Sequence, residues 1–319
     1  MFSRIFMGNK DKFFGINVSL EYVNESMLDT FIERVDGLSC GWVRLEFDWY
    51  SKQNFRLHDK FVKAMHVRGI KILGLLTGLV HATFKNLFFP HLKFRSPVKH
   101  EKDFLGFCGK ICRRYSAYIN TWEIWNEENT LRFWTTTPDA DEYAMLLKNT
   151  IKVIKNIQPK AKIVLGGIFG NDLDTVFSSN RGYLARLIVQ KATDEVDIYA
   201  FHPYSISCYA TLTKNKKGYL KDAKDDINKF ANAYAYTGKK MWITEYGVSS
   251  GYTFSMNDAD IGWVYKQLLE HCRSKNIVLF IWTMMDMHSS RYSEFNPERV
   301  FGLLDKNMNK KDSYRVLAN

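Results

Sequence analysis

The sequence predicts an α/β fold of one domain, a (β/α)8 barrel of the TIM-barrel architecture running over residues 1–319. Three observations predict it. Short runs of β-branched and aromatic residues alternate with longer segments of helical period, as repeated βα units around a parallel sheet require. The runs number eight, which closes a barrel. A chain of 319 residues, 46% hydrophobic and 25% charged, buries a large core and lies in the size range of one such barrel. Its six prolines and nineteen glycines are scattered, and no Ser-, Gly- or Pro-rich linker divides it.

The eight runs are Phe13 to Val18, Trp42 to Phe47, Ile70 to Leu75, Asn120 to Trp125, Lys162 to Gly167, Val196 to Phe201, Met241 to Thr244 and Val278 to Thr283. Between them apolar residues recur at three- and four-residue intervals, as in Leu28, Phe31, Ile32 and Val35, or Tyr143, Leu146, Leu147 and Ile151. Pro138 and Asp139 open the fourth helix, and Gly37, Gly69 and Gly238 fit helix stops. The last helix starts near Asp312, so the outer ring is thin there.

Composition narrows the function classes. The longest apolar runs, such as Ile277 to Trp282, fall far short of the roughly 20 residues that cross a bilayer, so no transmembrane segment is expected. Met1 to Asn9 do not read as a signal peptide, and the compartment stays open. Cys40, Cys108, Cys112, Cys208 and Cys272 form no paired framework, and their odd number favours a reducing environment. Cys108 and Cys112 lack His or Cys partners at metal spacing and read as core thiols. The net charge of +11 is carried by one stretch, Ser51 to Tyr115, where fourteen Lys and Arg face only Asp59, Glu101 and Asp103. That asymmetry predicts a basic flank suited to an anionic polymer or to peripheral contact with an anionic surface, or else a solvated face.

In such a barrel chemistry collects at the carboxyl ends of the strands. Two carboxyl groups stand there: Glu127, after the fourth run in Trp122-Glu123-Ile124-Trp125-Asn126-Glu127, and Glu245, after the seventh in Trp242-Ile243-Thr244-Glu245-Tyr246-Gly247. Glycosidic bond hydrolysis needs one carboxyl to protonate the leaving oxygen and a second to attack the sugar or activate water, about 5 Å apart in retaining enzymes. Barrel closure is what would bring these two together.

The run from Trp122 to Asn129, then Phe133-Trp134 and Pro138-Asp139, resembles the Trp-Glu-Ile-Trp-Asn-Glu-Pro-Asn motif of the clan A glycoside hydrolases, especially family 39 and relatives that cut exopolysaccharides. The likeness continues through Leu165-Gly166-Gly167, Phe201-His202-Pro203-Tyr204 and Phe301-Gly302-Leu303-Leu304. It implies a retaining O-glycosyl hydrolase with Glu127 as acid/base and Glu245 as nucleophile. Asn126 would then bond the sugar 2-hydroxyl, Arg44 would hold Glu245 ionised, and Tyr204 would bond the nucleophile, with His202 beside it on the same face. An ion pair of Arg44 with Glu46 or Glu123 is the structural alternative. Trp282 offers a platform for a sugar ring, with Trp49, Trp125 and Trp134 as lesser candidates that core packing would equally explain. Glu128 departs from the motif's proline; it either raises the pKa of Glu127 or points away.

No phosphate loop, Gly-x-Ser-x-Gly elbow, His-Glu-x-x-His helix or dinucleotide fingerprint occurs, so no cofactor or metal is implied. No nucleic-acid module accompanies the basic stretch. The expected substrate is a β-linked oligo- or polysaccharide, an acidic one by the charge asymmetry. The stretch from His81 to His100, mixing phenylalanines with Lys and Arg, would line a groove for it or pack as an excursion. A weakly active or inactive sugar-binding barrel and a transglycosylase are the competing readings.

Overall fold

The computed structural model describes residues 10–49, 55–78, 97–130, 132–134, 137–170, 182–204, 215–250, 256–287 and 297–319. Eight parallel strands close a barrel in chain order: β1 (Asp11–Val18), β2 (Cys40–Asp48), β3 (Lys71–Thr77), β4 (Thr121–Asn126), β5 (Lys162–Phe169), β6 (Ile198–His202), β7 (Lys240–Tyr246) and β8 (Val278–Ile281). Every expected run falls on its strand. Among the described residues each strand is followed by a helix: α1 (Glu25–Asp36), α2 (Phe55–Val67), α3 (Glu101–Tyr115), α4 (Ala140–Ile157), α5 (Tyr183–Val189), α6 (Lys216–Tyr234), α7 (Asp258–Ser274) and α8 (Asp312–Ala318).

Helix starts are fixed by side-chain caps that satisfy otherwise unpaired N–H groups. Asn24 accepts from the Met27 amide, Asp139 from Asp141 and Glu142, Asn215 from Lys217 and Gly218, and Asn257 from Asp260. Gly69 and Gly238 take the left-handed φ expected of helix stops, at +69° and +66°. Gly37 does not: it stays right-handed, and the left-handed residue is Ser39. Its reason is space. A Cβ on Gly37 would lie 2.6 Å from the Tyr314 hydroxyl, through which α8 donates a hydrogen bond to the Arg34 carbonyl on α1.

Burial follows the two periodicities. Leu28, Phe31, Ile32 and Val35 of α1 and Tyr143, Leu146, Leu147 and Ile151 of α4 are buried in the layer between helices and sheet. A second cluster, Leu73, Val164, Ile198, Ala200, Trp242, Val278 and Phe280, with Phe13 and Trp42 packed on it, fills the lower interior of the barrel. Trp42 lies two residues before Arg44 and Trp242 two before Thr244, so the polar residues above occupy the same inward face. The interior is apolar below and charged at the mouth.

Cys40, Cys108, Cys112 and Cys272 are free and buried, and burial raises all four thiols; Cys208 lies outside the described residues. The basic stretch is described on α2, β3 and α3, where part of its charge is paired: Arg114 binds Asp59 at 2.9 Å and Arg56 binds Glu25 at 2.8 Å. Residues 79–96, which hold most of the aromatic and basic excursion, lie outside the described residues. No helix among the described residues is long and apolar enough to cross a membrane.

Candidate active site

Successive residues of a regular strand face opposite sides. Yet Asn126 and Glu127, neighbours at the end of β4, both reach into the barrel mouth. Trp125 and Glu127 adopt left-handed backbone angles, φ 69° and 46°, uncommon for residues with side chains and costing of order 1–3 kcal/mol each. Those two turns break the alternation. The surroundings hold them: the Glu127 amide donates to the Gly167 carbonyl at 3.1 Å, and Trp125, fully buried, donates its indole N–H to the Phe133 carbonyl at 2.9 Å.

Under the mouth lies a continuous polar chain. Arg44 on β2 grips Glu123 on β4 through Nε at 2.6 Å and Nη2 at 3.1 Å. The same guanidinium donates to Asn17 Oδ1 at 3.0 Å and Asn126 Oδ1 at 2.7 Å, and reaches Glu245 Oε2 at 3.5 Å. Burial alone would lower the Arg44 pKa, but the carboxylates of Glu123, Glu245 and Glu46 raise it, so the cation is secure. Asn17 ties β1 to β7 and β8 by donating to the carbonyls of Thr244 and Ile281. Thr244 donates to Glu123 Oε1 at 2.9 Å, and His202 Nε2 lies 3.1 Å from the Thr244 hydroxyl.

This chain ends at the two carboxyl groups. His202 Nδ1 is 2.8 Å from Glu127 Oε1, and the Tyr204 hydroxyl donates to Glu245 Oε1 at 3.2 Å. Carboxylate oxygens of Glu127 and Glu245 and a nitrogen of His202 all fall within 4.8 Å of one another. Both nitrogens of that imidazole are already engaged by protein groups, Nδ1 by Glu127 and Nε2 by Thr244. Burial lowers the His202 pKa from 6.5 to about 4, with Arg44 adding to the effect and Glu245 and Glu123 opposing it; the ring is neutral at neutral pH. Glu46, two residues beyond Arg44 on the same face, has its pKa raised well above the ordinary carboxyl range by burial and then by the charge of Asp48.

The residues singled out in the sequence thus separate. Glu127, Glu245, Asn126, Arg44, His202 and Tyr204 converge on one spot, and of the alternatives for Arg44 both hold at once, since it pairs with Glu123 and faces Glu245. Trp282 stands one residue past the end of β8, half-buried at the mouth, its amide donating to the Tyr246 carbonyl at 2.8 Å and its peptide bond to Thr283 cis. Trp134 is a correction: it is 1% exposed, edge-on to Trp125 and Tyr143 with its N–H on Glu142, so no ring face is open to a sugar. Trp125 is core for the same reason. Trp49 is half-buried and packs edge-on against Phe104 of α3. Glu128 points away from the mouth: fully buried, it fills the space that a Cβ on Gly166 would take, and its charge helps to raise the phenol pKa of Tyr143 on α4.

Three contributors escaped the sequence reading as site residues: Asn17, Glu123 and Thr244. Each sits inside an apolar strand run. The available signal was that a charged residue within a strand buried on both faces demands a partner, which Glu123 and Arg44 are for each other.

The family model described as Cellulase (glycosyl hydrolase family 5) matches residues 7–288. No curated protein matches the sequence. Among solved structures, a family 39 glycoside hydrolase from the gut symbiont Bacteroides cellulosilyticus WH2 is 17% identical with a TM-score of 0.71, covering 99% of this chain and 64% of its own. A β-galactosidase from the psychrophilic Marinomonas ef1 is 10% identical with a TM-score of 0.66, covering 97% of this chain and 58% of its own. The family 5 enzyme GH5_18 from Streptomyces cattleya, in complex with GlcNAc, is 13% identical with a TM-score of 0.70, covering 98% and 80%. The chain therefore spans less than two thirds of the first two structures.

Proposed function

The chain belongs to glycosyl hydrolase family 5, within clan A, and from that premise we propose that it is a retaining β-glycosidase with Glu127 as acid/base and Glu245 as nucleophile. The observation that carries this reading is that one oxygen of each carboxyl group lies within 4.8 Å of the other, an approach that fits the roughly 5–5.5 Å between the two carboxyl groups of retaining enzymes.

In the first step a Glu245 oxygen attacks the anomeric carbon as the glycosidic C–O bond breaks, and the Glu127 proton goes to the departing oxygen. Arg44 and the Tyr204 hydroxyl keep Glu245 ionised and aimed. In the second step Glu127 takes a proton from water, the resulting hydroxide oxygen bonds to the anomeric carbon, and Glu245 leaves as carboxylate. Asn126, held by Arg44, bonds the sugar 2-hydroxyl, and Trp282 offers its ring to a sugar face. The substrate is a β-linked oligo- or polysaccharide. The fourteen basic residues against three acidic ones between Ser51 and Tyr115 favour an anionic chain, such as a uronic-acid-bearing exopolysaccharide.

The test is turnover of aryl β-glycosides and of a panel of neutral and acidic glycans by wild type, Glu127→Gln and Glu245→Gln. Both variants should lose activity by several orders of magnitude, with Glu127→Gln recovering on substrates whose leaving group departs unprotonated. Equal rates for wild type and Glu245→Gln would remove Glu245 from the mechanism.

A further inference from the structure

The contact between His202 and Glu127 contains one hydrogen, and the residues behind His202 decide which of the two owns it. Thr244 has a single hydroxyl hydrogen. Glu123, gripped at both oxygens by Arg44, offers that hydroxyl lone pairs alone, so the hydrogen lies in the 2.9 Å bond from Thr244 to Glu123. The Thr244 oxygen is then an acceptor toward His202, and the 3.1 Å contact at Nε2 requires the ring hydrogen to be there. Nδ1 keeps a bare lone pair. The hydrogen in the 2.8 Å contact with Glu127 Oε1 must therefore come from the carboxyl group.

We propose that Thr244 is a positioning residue that fixes the Nε2–H tautomer of His202 and so keeps the acid's proton on Glu127; this rests on the reading of Glu127 as acid/base. The groups around the imidazole fit this assignment. Glu127 and Glu123 face it from β4, Glu245 from β7 and Arg44 from β2, Tyr204 lies edge-on to it, and β5 backs the ring with Gly167, where a Cβ would fall 2.0 Å from Nε2. The ring is fully buried, and burial keeps a second proton off it.

The arrangement serves both half-reactions. Before the first, Glu127 is held as the protonated acid. Once that hydrogen has turned from Nδ1 towards the leaving oxygen and been transferred to it, the Glu127 carboxylate faces the Nδ1 lone pair, two electron-rich atoms in contact. That repulsion strengthens the carboxylate as a base for the incoming water. The opposite tautomer would reverse both effects, because an Nδ1–H would bond the carboxylate and stabilise it without its proton.

The experiment compares the full chain as wild type, Thr244→Val and Thr244→Ser. kcat/KM is followed against pH on two aryl β-glycosides, one with a poor phenol leaving group and one with a dinitrophenolate. Thr244→Val should move the alkaline limb down by about one pH unit or more and cut the rate on the poor leaving group about ten-fold at that limb. The dinitrophenyl substrate, which needs no protonation, should change by less than about two-fold, and Thr244→Ser should restore the wild-type profile. Nitrogen-15 shifts of His202 read the tautomer directly: a bare Nδ1 in wild type, a protonated Nδ1 in Thr244→Val. An unmoved alkaline limb in Thr244→Val, or an Nδ1–H ring in wild type, overturns the proposal. A wild type that cleaves no β-glycoside removes the role of Glu127 instead, and the nitrogen shifts still report whether Thr244 sets the tautomer.

Discussion

His202 is buried at the end of β6 with both ring nitrogens in contact with protein groups, Nδ1 with Glu127 and Nε2 with Thr244. Its depressed pKa has a consequence for stability. The folded value, about 4, lies below the unfolded 6.5, so the fold favours the neutral ring; the stability this gives is present above pH 6.5 and is lost as pH falls from there toward 4. The shift corresponds to roughly 3 kcal/mol. Denaturant unfolding at pH 7 and pH 4.5 should show wild type losing about 2–3 kcal/mol more than His202→Gln over that interval. Equal losses would mean that the ring is not buried neutral. Glu127, Glu245, Asn126, Arg44 and Tyr204 were legible because polar residues at strand ends stand out and their motif resembles a clan pattern. Asn17 and Thr244 were hidden because their partners lie on strands distant in sequence, Glu123 was visible only as an ion-pair partner for Arg44, and Trp134 misled because an aromatic beside a motif looks the same whether it packs or binds.

At the scale of elements, all eight strands were visible as apolar runs, and what differed was where they stop. β4 continues to Asn126 and β7 to Tyr246, past the apolar residues, because the backbone ladder extends through the polar positions that build the site. β8 stops at Ile281, so Trp282 stands just past the strand, tied to β7 by the hydrogen bond from its amide to the Tyr246 carbonyl. The left-handed turns at Trp125 and Glu127 have no compositional signal, since neither is a glycine. Glycines mattered in another way. Gly166 and Gly167 on β5 are small so that Glu128 and His202 can lie against the strand, a purpose that appears only once β4 and β6 are placed on either side. Gly167→Ala should push the imidazole off Glu127 and lower kcat/KM about a hundred-fold, the scale expected of a 1 Å misplacement, with a folded barrel by circular dichroism. A loss under about three-fold would show that the ring's position does not matter to turnover.

Across the whole molecule, closure of the sheet does the assembling. Residues 44, 126, 202 and 245 come from four strands, and only a barrel with β1 paired to β8 sets them on one rim above an apolar interior. Closure also explains why the interior charges come as a connected set: a guanidinium taken out of water is tolerated because Glu123, Asn17 and Asn126 satisfy it at once. The proposed preference for an anionic polymer belongs to this scale too, since a basic flank would raise the local concentration of such a chain around the mouth. The proposed chemistry is two successive displacements at one carbon, and its outcome would be written in the product. Proton NMR of the first-formed sugar during cleavage of an aryl β-glycoside measures it before mutarotation intervenes. The β-anomer should appear first; an α-anomer appearing first would mean single displacement by water and would contradict the proposed role of Glu245 as nucleophile.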